Sequence, residues 1–381
     1  MMVLPKIKGI NSILNFAKKI FTKGSFRLVD NYISGLITLG KKSIKKIAKA
    51  AKVNQQTLNY TLNEAKFDKE KLEKRYFEKL KYVFKDAKTY LLIDDTLVER
   101  DGKHIEQTQS HFDHNCNSYV NGHQFFTAIL CTSFLQLPIF PELYSKETDS
   151  KIEMAKILVD KLKKAQLKLD TILFDSWYSD KNLINKCKAL DIRVICAIKT
   201  NRKIFIGKSN KAQKLSFITQ RLFSKKMNKY FIDDKRYLVW EKKARLNKIQ
   251  SLKFIISHEM KDEKVKGKAH LISTNFNDSP KEIISIYKIR WKIETYHRDI
   301  KQNLGFDKAF IRRGNGIVCH TIFVAIAYAI LSLFMYRKGI QMTIGECCEY
   351  LRDESSASLV KEIVEIDDKQ ERLKVFEEVY K

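Results

Sequence analysis

The sequence predicts an α/β protein preceded by an all-helical domain, and three observations predict it. Short apolar runs of strand type alternate with amphipathic helical stretches between Thr89 and Ile198. The residues before Thr89 keep helical periodicity throughout, and those after Ile198 break into short β-like runs. Positive charge is concentrated in residues 1–88 and 201–270.

The chain has 381 residues, with 72 Lys and Arg against 44 Asp and Glu, a net charge of +28. Residues 1–88 carry 21 basic and 7 acidic residues, and residues 201–270 carry 20 and 6, a net +14 in each. Residues 89–200 and 271–381 are nearly neutral, at −1 and +1. A hydrophobic content of 44% supplies a large core and excludes a disordered basic tail. Two basic surfaces on a globular protein suit a polyanion, and nucleic acid suits them better than a membrane face. The seven cysteines form no CxxC pair, which points to reduced thiols and a cytoplasmic setting.

The elements follow in order. Residues 1–88 read as a helical DNA-binding domain, opening with an amphipathic helix over Met1–Phe21. Within it, 42–62 has helix-turn-helix rhythm: Ser43 caps a first helix with Ile44, Ile47 and Ala48 inward, and Val53 packs at the turn. Asn54 then caps a second helix that turns Gln55, Gln56, Thr57, Asn59 and Tyr60 outward, small polar groups suited to base edges in a major groove. Two ordinary packed helices would give the same pattern.

Residues 89–200 form the first part of the α/β core. Tyr90–Ile93 reads as a buried strand stopping at Asp94-Asp95-Thr96, and Thr171–Phe174 as a second strand ending in Asp175. Helices are expected over Ile152–Leu167 and Lys181–Leu190, and strands over Tyr119–Phe134, Leu137–Tyr144 and Ile192–Ile198. In such sheets, sites form at the carboxyl ends of strands. Residues 201–273 read as a basic β-rich insertion, 274–338 as core helices, and 339–381 as a helical tail. One long helix is expected over Ser279–Leu304. Ile317–Tyr336 has no formal charge over 20 residues, yet His320, Thr321, Tyr328 and Ser332 favour a buried core helix over a membrane span.

The richest chemistry lies around Glu294. At 100° per residue, Tyr287 lies about +20° from Glu294, Arg290 about −40°, Arg298 about +40° and Lys301 about −20°. A phenol, two guanidinium groups, an ammonium and one carboxylate share a stripe. Ordinary i,i+4 pairing accounts for Arg290 and Arg298 but not for Tyr287 and Lys301. Such donors suit a helix that grips phosphates beside a metal ligand.

Tyr287-x2-Arg290-x3-Glu294-x6-Lys301 resembles the Tyr-Arg-Glu-Lys signature of bacterial DDE transposases of the IS-four-like group. Asp94-Asp95-Thr96 resembles that family's first Asp motif, and Phe174-Asp175-Ser176-Trp177-Tyr178 its second. The resemblance covers roughly residues 89–336. It implies an RNase H-like, retroviral-integrase-type catalytic core, with 201–273 as the insertion between the second Asp and the Glu. It further implies catalytic and metal-binding roles for Asp94, Asp175 and Glu294, with Asp95 as the alternative first ligand. Two Mg²⁺ or Mn²⁺ ions are expected. Tyr287, Arg290, Arg298 and Lys301 would contact DNA, as would Gln55, Gln56 and Thr57 in the helical domain.

The expected activity is cleavage and strand transfer of double-stranded DNA at an insertion sequence's inverted repeats and its target. The protein would act as a homodimer in the bacterial cytoplasm, associated with the nucleoid. A non-catalytic regulator derived from a transposase, or a nuclease without strand transfer, are the alternatives. His111, His114 and Cys116, with His104 or His123, offer only one thiolate and read as polar residues rather than a zinc site. Trp240 reads as core rather than as a base-stacking platform.

Overall fold

The computed structural model describes residues 14–64, 67–102, 104–113, 116–222, 226–365 and 370. Most of the helix expected over Met1–Phe21 and the end of the tail lie outside the described residues. The chain divides into two compact units, Met1–Lys85, Asp95–Glu147 and Thr295–Lys381 forming the first, Asp86–Asp94 and Thr148–Glu294 the second.

In the first unit, α1 (Lys23–Thr38), α2 (Ile44–Ala51), α3 (Gln55–Glu64) and α4 (Lys69–Val83) follow one another. The capping read from sequence is present: Ser43 Oγ accepts from Lys46 N, and Asn54 Oδ1 accepts from Gln56 N at 2.7 Å. Between these helices Lys52 takes a left-handed conformation, closing α2 with bonds to Ala48 and Lys49 carbonyls. Leu58 and Leu62 are buried, whereas Gln55, Gln56, Thr57, Asn59 and Tyr60 are exposed. A Cβ on Gly35 would stand 2.8 Å from Ile47, so this glycine is what lets α1 and α2 approach.

The remainder of this unit is built on β3 (Ser118–Cys131), paired antiparallel with β2 (Gln109–Asp113), β4 (Gln136–Pro138) and β5 (Glu142–Tyr144). The expected strand Leu137–Tyr144 is thus two three-residue strands. The uncharged stretch is α10 (Gly314–Lys338), and 94% of its most apolar window is buried within the protein. It packs against α1, α3 and α11 (Ile344–Val364). His320 at its centre places Nδ1 2.8 Å from Tyr32 Oη and Nε2 3.1 Å from Gly305 O.

The second unit holds a mixed sheet. β1 (Tyr90–Glu99) begins here and runs parallel to β6 (Thr171–Phe174), which runs parallel to β7 (Arg193–Ala197). Parallel neighbours require crossovers: α5 (Lys151–Lys164) precedes β6, and α6 (Lys181–Ala189) joins β6 to β7. Ser150 and Asp180 cap these helices, and Lys186 pairs with Asp160 at 2.6 Å between them.

β13 (Lys264–Ser273) runs antiparallel to β7, and the sheet continues through β12 (Ile249–Lys261) and β11 (Lys235–Leu246) to β8 (Lys203–Ile206) and β9 (Gln213–Lys214). β10 (Asn228–Ile232) pairs with β11, and the short α7 (Leu215–Gln220) follows β9. The short β-like runs of residues 201–273 are therefore the apolar centres of longer strands.

Two sequence expectations change. β1 does not stop at Asp94-Asp95 but continues to Glu99. The strand accommodates the second carboxylate because Asp95 Oδ2 accepts from Gln124 Nε2 of β3 at 2.5 Å. The expected long helix is instead α8 (Pro280–Lys288) and α9 (Trp291–Leu304), joined by a tightened turn. Ile289 N bonds to Ile286 O, Arg290 N to Tyr287 O, Lys292 N to Ile289 O and Ile293 N to Arg290 O, all i to i−3. The chain passes between units within β1 after Asp94 and within α9 after Glu294.

Candidate active site

Strand register sets the first two aspartates at the same level of the sheet. Ile93 is the partner of Phe174 on parallel β1 and β6, and the next residues are Asp94 and Asp175. In-register residues on parallel strands project from the same face. Asp94 and Asp175 therefore follow paired residues at the same level of the sheet, Asp94 within β1 and Asp175 in the loop after β6. Because β1 stays extended, alternation turns Asp95 to the opposite face, where Gln124 holds it. Geometry thus separates the two aspartates that sequence left as alternatives.

Asp175 is fixed by its own loop, its Oδ1 accepting from Trp177 N at 2.8 Å and Tyr178 N at 3.3 Å. Tyr178 is fully buried, while Trp177 is exposed beneath Lys151, whose Nζ sits 4.3 Å from the ring centre. Cys196 is the partner of Phe174 on β7, and burial pushes its thiol pKa far up.

Glu294 enters from the first turn of α9, and the tightened turn before it decides what stands beside it. At three residues per turn, positions i and i+3 eclipse one another. Arg290 accordingly lies over the Tyr287 ring, 5.7 Å from its centre, with Trp291 at 5.5 Å. From there its Nη2 donates to Glu294 Oε1 at 2.6 Å, and Nη1 lies 3.7 Å from Asp94 Oδ2. The guanidinium stands between two of the three carboxylates. Burial opposes its charge, but Tyr287, Glu294 and Asp94 together outweigh that and raise its pKa. Burial pushes the Tyr287 phenol up to about 12. Both therefore keep their protons at neutral pH.

The rest of the stripe belongs to the first unit. Lys301 lies two turns along α9 from Glu294 and donates to Leu97 O at 2.9 Å, while Arg298 is exposed. Burial lowers the Lys301 pKa, with Asp307 and Asp113 opposing. Of the zinc candidates, His111 and His123 are buried and Cys116 is exposed, and His123 Nε2 meets Glu106 O at 2.9 Å. His114 lies outside the described residues. Trp240 packs edge-on against Phe254. Sequence reading missed Lys151, the cover of Trp177, and Arg202, which donates to Ser179 O in the same loop. Neither belongs to a local motif, so only tertiary placement reveals them.

The family described as "DDE superfamily endonuclease" matches residues 15–216, more than half of the chain. The chain belongs to the DDE endonuclease superfamily. Residues 144–342 also match the DDE family described as "Archaeal putative transposase ISC1217". A relative named "Probable transposase for insertion sequence element IS701", from Microchaete diplosiphon, is 28% identical over 234 residues. That match spans 58% of this chain and 62% of the relative, less than two thirds of its length.

Among solved structures, the piggyBac transposase synaptic complex with hairpin DNA aligns with 97% of this chain and 80% of its own, at 11% identity and a TM-score of 0.49. The Mos1 strand transfer complex aligns with 50% and 57%, at 12% identity and a TM-score of 0.19.

DDE membership implies a divalent metal. The donor set fits one chemically, since three carboxylates offer only hard oxygen ligands. Among the described residues, no three His, Cys, Asp or Glu side chains gather around one ion position. Between Asp94 and Glu294 a cation is already in place, the guanidinium of Arg290.

Proposed function

We propose that the protein is an insertion-sequence transposase of the IS-four-like group, built on an RNase H-like core, that cleaves and joins double-stranded DNA at its element's ends. The observation that carries this reading is the register pairing Ile93 with Phe174, the residues just before Asp94 and Asp175, together with Arg290 linking Asp94 to Glu294. Strands β1, β6 and β7, parallel with helical crossovers, support the RNase H-like assignment. The antiparallel β3, β4 and β5 support it as well.

Asp94, Asp175 and Glu294 would hold two Mg²⁺ or Mn²⁺ ions. When bound, such ions supply Lewis-acid activation of water and of the leaving oxygen in an in-line displacement at phosphorus. Arg290, backed by the Tyr287 ring, donates to a phosphate oxygen, and a planar guanidinium can do so through two parallel bonds. The Asp175 loop, pinned by Trp177 N and Tyr178 N, keeps its carboxylate from turning away. Lys301 grips the backbone further along α9.

The exposed Gln55, Gln56 and Thr57 of α3 read bases of the terminal repeat, and the two basic segments supply general affinity. A homodimer would pair two ends, in the bacterial cytoplasm at the nucleoid.

The test is a reaction in Mg²⁺ between the purified protein, a plasmid bearing the gene's flanking repeats and a target plasmid. Excision at the repeats followed by joining supports the reading. Cleavage of branched DNA irrespective of the repeats would assign a nuclease instead, and binding without cleavage a regulator.

A further inference from the structure

The tightened turn between α8 and α9 puts the Arg290 guanidinium between Asp94 and Glu294. Its side chain is 12% exposed, and it reaches Glu294 at 2.6 Å and Asp94 at 3.7 Å. A guanidinium stays protonated in proteins, so it cannot make room by losing charge. An ion held by the same carboxylates would meet a unit positive charge only a few ångströms away. The present pose also leaves Arg290 Nε buried without a hydrogen-bond partner, so the carboxylates do not use all of its donors. The rings of Tyr287 and Trp291 give the guanidinium a surface that does not depend on the carboxylates.

We propose that Arg290 is a built-in counter-ion, which occupies the cation's place in the metal-free protein and is released toward the scissile phosphate when a divalent ion binds. This rests on the active-site reading above and deepens it. Without an ion, the guanidinium offsets the repulsion between Asp94 and Glu294. With one, the arginine is expelled with its donors unmet, and a phosphate is the acceptor that satisfies them. Metal loading and DNA-end binding then reinforce each other, and the coupling is reciprocal.

The experiment measures Mn²⁺ affinity of the DNA-free, full-length protein by electron paramagnetic resonance, so no turnover is needed. Arg290→Gln should bind Mn²⁺ on the order of tenfold more tightly than wild type, since a unit charge about 4 Å away no longer competes. Arg290→Lys, which keeps the charge, should stay close to wild type. Equal or weaker binding by Arg290→Gln overturns the proposal. If Asp175→Asn loses the ion while Arg290→Gln gains nothing, the site reading stands and the counter-ion idea alone falls. If Asp175→Asn binds as wild type does, the ion sits elsewhere and both fall.

A second readout does not depend on the Arg290 variants folding. In a Trp177→Phe, Trp240→Phe protein, Trp291 is the sole tryptophan and Arg290 is its neighbour. Mg²⁺ should change its emission as the guanidinium leaves. Binding verified by calorimetry with no emission change overturns the proposal.

Discussion

Asp94 and Asp95 are consecutive residues of one type, yet the structure gives them opposite faces of β1, so exchanging each for Asn separates chemistry from scaffolding. Asp95 accepts from Gln124 Nε2 at 2.5 Å, and a hydrogen bond to a charged group contributes about 1.5–3 kcal/mol. Asn retains an acceptor there, so Asp95→Asn should cost only about 1 kcal/mol of stability and leave cleavage within about threefold of wild type. Asp94→Asn removes a carboxylate beside Arg290, which still holds Glu294 at 2.6 Å, so folding should survive.

Losing one ligand of a metal that supplies several kcal/mol to the transition state should lower cleavage by about a thousandfold or more. The assay is nicking of a supercoiled plasmid carrying the terminal repeats in Mg²⁺, with melting temperatures measured in parallel. Loss of cleavage in Asp95→Asn equal to that in Asp94→Asn, with both folded, would refute the face assignment.

Other outcomes follow from the same geometry. Replacing Gln55, Gln56 and Thr57 together by Ala should leave the melting temperature nearly unchanged, since all three are exposed, but should remove preference for repeat-bearing DNA in a gel-shift assay. Lys301→Ala should lower cleavage at least about tenfold with only about 1 kcal/mol lost from its bond to Leu97 O. Lys292→Ala serves as the control, and equal damage there would make the stripe structural. Burial lowers the His320 pKa to about 4, whereas the unfolded chain takes up that proton near 6.5. Stability should therefore be full above about pH 6.5 and fall by at most about 3 kcal/mol as pH drops through 4. In thermal melts at pH 7 and 4.5, His320→Gln should lose less than wild type.

Legibility in sequence tracked how local the determining interactions were. Ser43 and Asn54 caps, the strand Thr171–Phe174 and the amphipathic helix at 151–164 depend on neighbours in sequence, and they stand where periodicity placed them. The continuation of β1 past Asp95 depends on Gln124, 29 residues away, and no local signal announces it. The break at Ile289–Arg290 carries no Pro or Gly, so uniform 100° steps gave a straight stripe. Uniform steps set Arg290 beside Glu294 alone, whereas its eclipsed position over Tyr287 also brings its guanidinium to 3.7 Å from Asp94. Residues 1–88 also looked separable as a recognition domain. In the structure α1 and α3 pack directly on α10, so point substitutions in α3 test recognition better than deletion does.

The proposed metal-dependent cleavage centre joins Asp175 and Glu294 with Asp94. Asp175→Asn and Glu294→Gln should each abolish nicking of repeat-bearing plasmid in Mg²⁺ or Mn²⁺ while retaining wild-type affinity for the same ends in a filter-binding assay without metal. Nicking by either folded variant at near wild-type rate would contradict it.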